Sequence, residues 1–118
     1  MREKLNLLLE KHCVTIKNNV ELVGVHLSRA RQESAAPQDA LKEAGALAHQ
    51  LKGSSGTAGF HDICVAATAL YDHLNAIRAL EDAPLRQGVH QAIELYERLS
   101  HASQAASPQS SALYLVSS

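Results

Sequence analysis

The run AHQLKGSSGTAG, residues 48 to 59, sets a histidine, a lysine and three glycines close together. A neutral imidazole is a competent nucleophile near pH 7, because its unperturbed pKa is about 6.5. An ammonium three residues further on, at Lys52, can stabilise negative charge on a group that approaches the ring. Group transfer onto a ring nitrogen is the chemistry this pair could do. The glycines need another explanation. Each costs a helix interior about 1 kcal/mol relative to alanine, yet the flanking sequence is good helix former.

Direction around the helix supplies that explanation. With about 100° per residue and Leu51 set at zero, Ala44, Leu47, Ala48 and Ser55 fall within about 60° and define the buried side. His49 lands near about 160°, toward solvent, while Gly45, Gly53 and Gly56 lie at about 120°, 200° and 140° on the same outer face. The glycines stand at i−4, i+4 and i+7 from His49, one to two turns away. They clear the surface around one imidazole, with Lys52 at the flank and Gln50 beside it. Gly45 and Gly53 bracket the histidine, which fraying of a helix end does not account for. A cleared, outward nucleophile implies a docking surface that admits another protein's backbone.

Four helices must carry this patch. Leu5, Leu9, Cys13, Ile16, Val20, Val23 and Leu27 step by four and three, one stripe of a long helix over residues 2 to 31. ESAAPQ (33–38) is a connector, and Pro37 stands where a second helix begins. That helix runs to Gly59, a left-handed stop. A third starts near His61 or Asp62, with Asp62 a candidate cap, and presents Ile63, Ala67, Leu70, Leu74 and Ile77. EDAP (81–84) is a break and restart in which Asp82 can cap and Pro84 fits a first turn. The fourth helix shows Leu85, Val89, Ala92, Ile93, Tyr96 and Leu99. Short links between four amphipathic helices predict an all-α fold, an antiparallel up-and-down four-helix bundle over residues 1–102, followed by a short non-helical C-terminal tail. Within 103–118, SQAASPQSS is linker-like and ALYLV (112–116) is β-prone.

The second and third helices form a hairpin turning near residue 60, so residues whose numbers sum to about 120 share a level. His49 therefore faces the level of Tyr71, with Asn75 one turn further. Either can orient the imidazole or hydrogen-bond a phosphoryl group. Ser54 and Ser55 are expected to back-bond within their own helix.

Composition excludes several classes. The chain has 118 residues, one domain's length. Aromatics are only 3% and tryptophan is absent, so aliphatic residues and alanine must build the core. Eleven basic residues against twelve acidic ones form no basic stripe, so nucleic acid is not an expected partner. Charges interrupt every short apolar run of the N-terminus, which excludes a signal peptide or a membrane span. Cys13 and Cys64 make neither a disulfide framework nor a zinc pattern, which fits a reducing cytoplasm.

AHQLKGSSGTAGF, with His49, Leu51, Lys52, Gly53, Ser54 and Gly59, closely resembles the signature of histidine-containing phosphotransfer (HPt) domains of bacterial phosphorelays. The resemblance extends through CVAATALYDHL (64–74) and covers residues 1 to 102. It implies that His49 is phosphorylated by an aspartyl phosphate on a receiver domain and passes the group to another receiver. It implies response-regulator receivers, and a hybrid sensor histidine kinase, as partners. Mg²⁺ would then sit on the receiver, because this chain has no acidic cluster suited to it. Relatives carry glutamine or another polar residue at the position of Tyr71, so tyrosine is a departure. ALYLVSS resembles the first strand of a receiver domain, with Ser117 and Ser118 where acidic residues are expected, and so the start of a following domain.

Three rivals stand against a phosphocarrier. An autonomous kinase lacks any nucleotide loop here. A metal-binding bundle needs Glu-x-x-His or His-x-x-x-His on facing helices, and neither spacing occurs, so His12, His26, His61, His73, His90 and His101 default to solvated or locally bonded side chains. A non-phosphorylated interaction or dimerisation module using the glycine face differs by one observation: it takes up no acid-labile label from a phosphorylated receiver.

Overall fold

The four amphipathic stripes close on one another as a bundle. The computed structural model describes residues 2–32 and 37–117, and its extents are 53 × 18 × 18 Å. The long dimension matches α1 (Arg2–Gln32), whose 31 residues span about 46 Å at the helical rise. α2 (Gln38–Thr57), α3 (His61–Ile77) and α4 (Asp82–Gln104) follow. α1 packs on α2 and α4, and α3 packs on the same two, so the helices stand at the corners of a square. Most of the connector 33–38, residues 33–36, lies outside the described residues.

The core is the aliphatic stripe expected from the spacing. Leu9, Val23, Leu41, Leu51, Leu70, Leu74 and Leu99 are wholly buried. Each contributes about 1.5–3 kcal/mol by leaving water. Ala44, Ala48 and Ala67 are equally buried and set no bulk between helices.

The helix ends follow the sequence in part. Pro37 stands at the N-cap position of α2 and its carbonyl accepts from the Leu41 N–H at 2.9 Å. Gly59, at φ 82, stops α2. Its N–H donates to the Gly56 carbonyl at 3.2 Å, and the Phe60 N–H donates to the Ser55 carbonyl at 2.8 Å. This paired closure satisfies two carbonyls that the helix end would leave open. Asp62 does not cap α3: Phe60 holds that position without a side-chain bond, and Asp62 lies in the first turn, where its charge suits the helix dipole. Asp82 does not cap α4 either. Glu81 stands there in extended conformation, and Asp82 itself takes φ 56, a left-handed geometry that aspartate tolerates. Pro84 falls in the first turn as expected.

The tail is short but helical, which corrects the expectation of a non-helical tail and of a strand over 112–116. A single 3₁₀ turn (Pro108–Ser110) leads into α5 (Ala112–Ser117). Tertiary bonding overrides the local β propensity. Buried Ser111 donates its hydroxyl to the Ala58 carbonyl at 2.5 Å and accepts the Leu113 N–H at 3.1 Å, as an N-cap does. The Ala112 N–H donates to the Gly59 carbonyl at 2.9 Å. Among the described residues there is no strand for ALYLV to pair with.

Gly59 is thus doubly constrained. Beyond its positive φ, a Cβ there would lie 2.7 Å from Ser111 Oγ and 3.0 Å from the Ala112 nitrogen. Gly59→Ala is expected to destabilise the fold by about 1–3 kcal/mol, read as a lower midpoint in urea unfolding.

Candidate functional site

The geometry of α2 brings the imidazole to the rim of the α2–α3 seam. His49 is exposed, as its angular position required, and its ring makes no hydrogen bond among the described residues. The contact it does make is with Tyr71 of α3, half-buried and at the level the hairpin arithmetic gave. The ring centroids are 4.9 Å apart and the planes are tilted by 41°. Such separations are typical of interacting aromatic pairs. Lys52, one turn on and half-buried, holds its Nζ 5.9 Å from the Tyr71 ring centroid, within cation–π range. One tyrosine ring therefore lies beside both the imidazole and the ammonium.

Cys64 fastens the seam at the same height. Its thiol donates to the Lys52 carbonyl at 3.4 Å. Composition and spacing offered no signal for this residue, because the contact depends on how α3 is rotated against α2. The serines behave as expected: Ser54 and Ser55 Oγ donate to the Leu51 carbonyl at 3.4 and 2.5 Å.

The glycines divide by what a side chain would meet. A Cβ at Gly53 would meet nothing within 4 Å, and Gly53 is exposed. A Cβ at exposed Gly56 would make ordinary contact with Cys64 Sγ at 3.4 Å. Gly45 corrects the reading that set it on the open face. Its main chain is buried, although it lies at about 120° on the helix wheel. Even so, the direction its Cβ would take is open, with no atom within 4 Å. No contact in the fold requires glycine at 45 or 53. Gly88 and Gly24 are different: a Cβ there would collide with Ile77 at 2.7 Å and with the Tyr96 hydroxyl at 2.5 Å.

Gln50 and Asn75 are exposed, and neither is brought into hydrogen bond with the imidazole. Other histidines do local work. The His73 Nε2–H donates to the Gly88 carbonyl at 2.7 Å, tying α3 to α4, and His26 Nδ1 accepts from Arg29 at 3.1 Å. Burial pushes the Cys13 thiol above its ordinary pKa, with Lys17 opposing and Glu10 reinforcing, so it is a packed thiol rather than a reactive one. No group of three His, Cys, Asp or Glu among the described residues could hold a metal ion. A depression of about 640 Å³ lies at the far end, among Arg31, Gln38, Glu81 and Arg86, and includes no residue of the His49 patch. His49 is exposed, so another protein's surface can reach it.

The Hpt domain family model matches residues 13–105, from the first third of α1 to the end of α4. The chain belongs to the Hpt domain family. Hpt domains are the histidine phosphotransfer modules of phosphorelays, phosphocarriers that interact with receiver domains. No curated protein and no solved structure matches the chain. The match spans the whole seam between α2 and α3 and stops before α5. Among the described residues, no helix of this Hpt domain is long and apolar enough to cross a membrane.

Open space at Gly53 makes a prediction with two signs. Gly53→Ala is expected to stabilise the isolated domain by up to about 1 kcal/mol, read from urea unfolding. Gly53→Leu should fold but weaken receiver binding and receiver-dependent phosphorylation together, since side chains at i and i+4 stand about 5–6 Å apart. A small phosphodonor such as phosphoramidate should still label the same variant. Unfolding of Gly53→Leu, or unchanged transfer from a receiver, would mean the glycine serves the helix and not a partner.

Proposed function

We propose that His49 is the phosphorylated side chain of this phosphotransfer module. The observation that carries the reading is an exposed imidazole, without a hydrogen bond among the described residues, between two glycines whose side-chain directions are open. A ring nitrogen attacks the phosphorus of an aspartyl phosphate on a receiver domain. The N–P bond forms as the P–O bond to the aspartyl carboxylate breaks, and the carboxylate leaves with the bonding electron pair. The nitrogen that does not attack keeps its proton, so the product ring is positive against the phosphoryl dianion. Transfer to the second receiver reverses these steps onto another aspartate. In-line attack asks little of the acceptor beyond position.

Lys52 balances charge on the phosphoryl oxygens, since its ammonium already lies on the His49 side of α2. Mg²⁺ and its acidic ligands belong to the receiver. Gly53, Gly56 and Gln50 form the surface on which the receiver docks, with Asn75 at its α3 edge. A hybrid sensor histidine kinase supplies the first receiver, response regulators supply the last, and the exchange takes place in the cytoplasm. The chain works as a carrier without kinase or phosphatase activity of its own, in keeping with a sequence that carries no glycine-rich nucleotide loop.

Two variants test this reading. His49→Gln should fold normally and take up no acid-labile, base-stable label from any receiver loaded with acetyl phosphate. Label on that variant, and its loss on changing another histidine, would overturn the assignment. Lys52→Ala should slow transfer about tenfold, the value of one charge-assisted contact, while costing less than about 0.5 kcal/mol of stability. The loss should shrink as salt is raised, because added ions screen the same charge. Transfer at the wild-type rate at low and physiological salt alike would remove Lys52 from the mechanism.

A further inference from the structure

An exposed side chain on a helix ordinarily samples several rotamers. A nucleophile in that state spends little time aimed at its target, and a misplacement of about 1 Å costs on the order of 10²-fold in rate. Histidines are usually held by a hydrogen bond to one ring nitrogen. Here the His49 ring has no such bond among the described residues, and the ring contact it makes is with Tyr71, centroids 4.9 Å apart and planes tilted by 41°. The Lys52 ammonium lies over the same ring, 5.9 Å from its centroid.

We infer that Tyr71 is a positioning residue that holds His49 and Lys52 through its aromatic face and not through its hydroxyl. This inference rests on His49 being the phosphorylated residue. Contact through a ring face restricts the imidazole without occupying either nitrogen, so one stays open for attack and the other for solvent or partner. The ring also keeps the ammonium beside the nucleophile before any phosphate arrives. Once the phosphoryl group is on His49, its oxygens attract the ammonium more strongly than a ring quadrupole does. Lys52 then leaves the ring for the phosphate, and on transfer to the next receiver it returns.

Three variants of the full chain separate the aromatic face from its alternatives. Tyr71→Phe keeps the face and drops the hydroxyl, Tyr71→Gln offers hydrogen bonds without a ring, and Tyr71→Ala removes both. Each is first checked by circular dichroism and thermal unfolding, and each is then measured with the receiver that phosphorylates the wild type fastest. Phe should transfer at about the wild-type limiting rate, and Gln and Ala about tenfold slower, all with unchanged half-saturating receiver concentration. In the unphosphorylated protein, the His49 ring protons should show an upfield ring-current shift in the wild type and in Phe that disappears in Gln and Ala. A variant that unfolds leaves the Phe and Gln comparison and the ring shifts to decide. The inference is overturned if Ala transfers at the wild-type rate, if Gln restores the rate and Phe does not, or if the ring protons do not respond. It is also overturned if the loss lies in receiver affinity alone. Any of these can occur with His49→Gln still unlabelled, in which case the phosphorylation reading survives. Label on His49→Gln removes both.

Discussion

Ala48, next to His49 on α2, and Ala67, one turn before Tyr71 on α3, are fully buried, and the size of buried side chains sets how near two helices can approach. Interaxial distances between packed helices fall at about 8–10 Å according to the side chains at the contact. Methyl groups at this seam let the Cys64 thiol reach the Lys52 carbonyl and let the Tyr71 ring reach an imidazole on the outer face. Bulk at either alanine would push the helices apart and separate the nucleophile from the ring that restrains it. The remaining core serves this seam by holding the rotation of both helices.

A phosphocarrier meets two demands that oppose one another. The nucleophile must be open enough for a receiver's active site to close over it, and it must be held well enough to attack in line. On the proposal that His49 is that nucleophile, glycines at 45 and 53, where no described atom would oppose a side chain, meet the first. The answer to the second comes from a different helix, so the opening costs little positional control. The helix gives up about 1 kcal/mol of propensity per glycine, and the paired closure at Gly59 and Phe60 limits the loss to the stretch that needs it. Glycines elsewhere follow another logic: Gly24 and Gly88 make room for Tyr96 and Ile77.

The C-terminal segment depends on the same α2–α3 turn. Ser111 and Ala112 bond to the carbonyls of Ala58 and Gly59, so the turn that ends α2 is also the anchor for α5. The anchor lies some ten residues from His49, about 15 Å along the helix.

Periodicity alone determined a great deal. Steps of three and four placed four helices, their buried stripes and their approximate ends, and a rise of about 100° per residue turned His49 outward and Leu51 inward. The hairpin level rule paired His49 with Tyr71. These features were legible because each depends only on residues close in sequence, or on a rigid rod folded back on itself. Only tertiary structure decided the others. Gly45 is buried although its place on the helix wheel is outward, and Cys64 joins the site because α3 presents it to the Lys52 carbonyl. Residues 112–117 are helical because Ser111 finds a carbonyl 53 positions away. Caps at Asp62 and Asp82 looked right locally and were not used, since the packed entry of each helix set the backbone first. Sequence fixes what a helix can bury and expose; the neighbour it packs against decides which borderline residues end on either side.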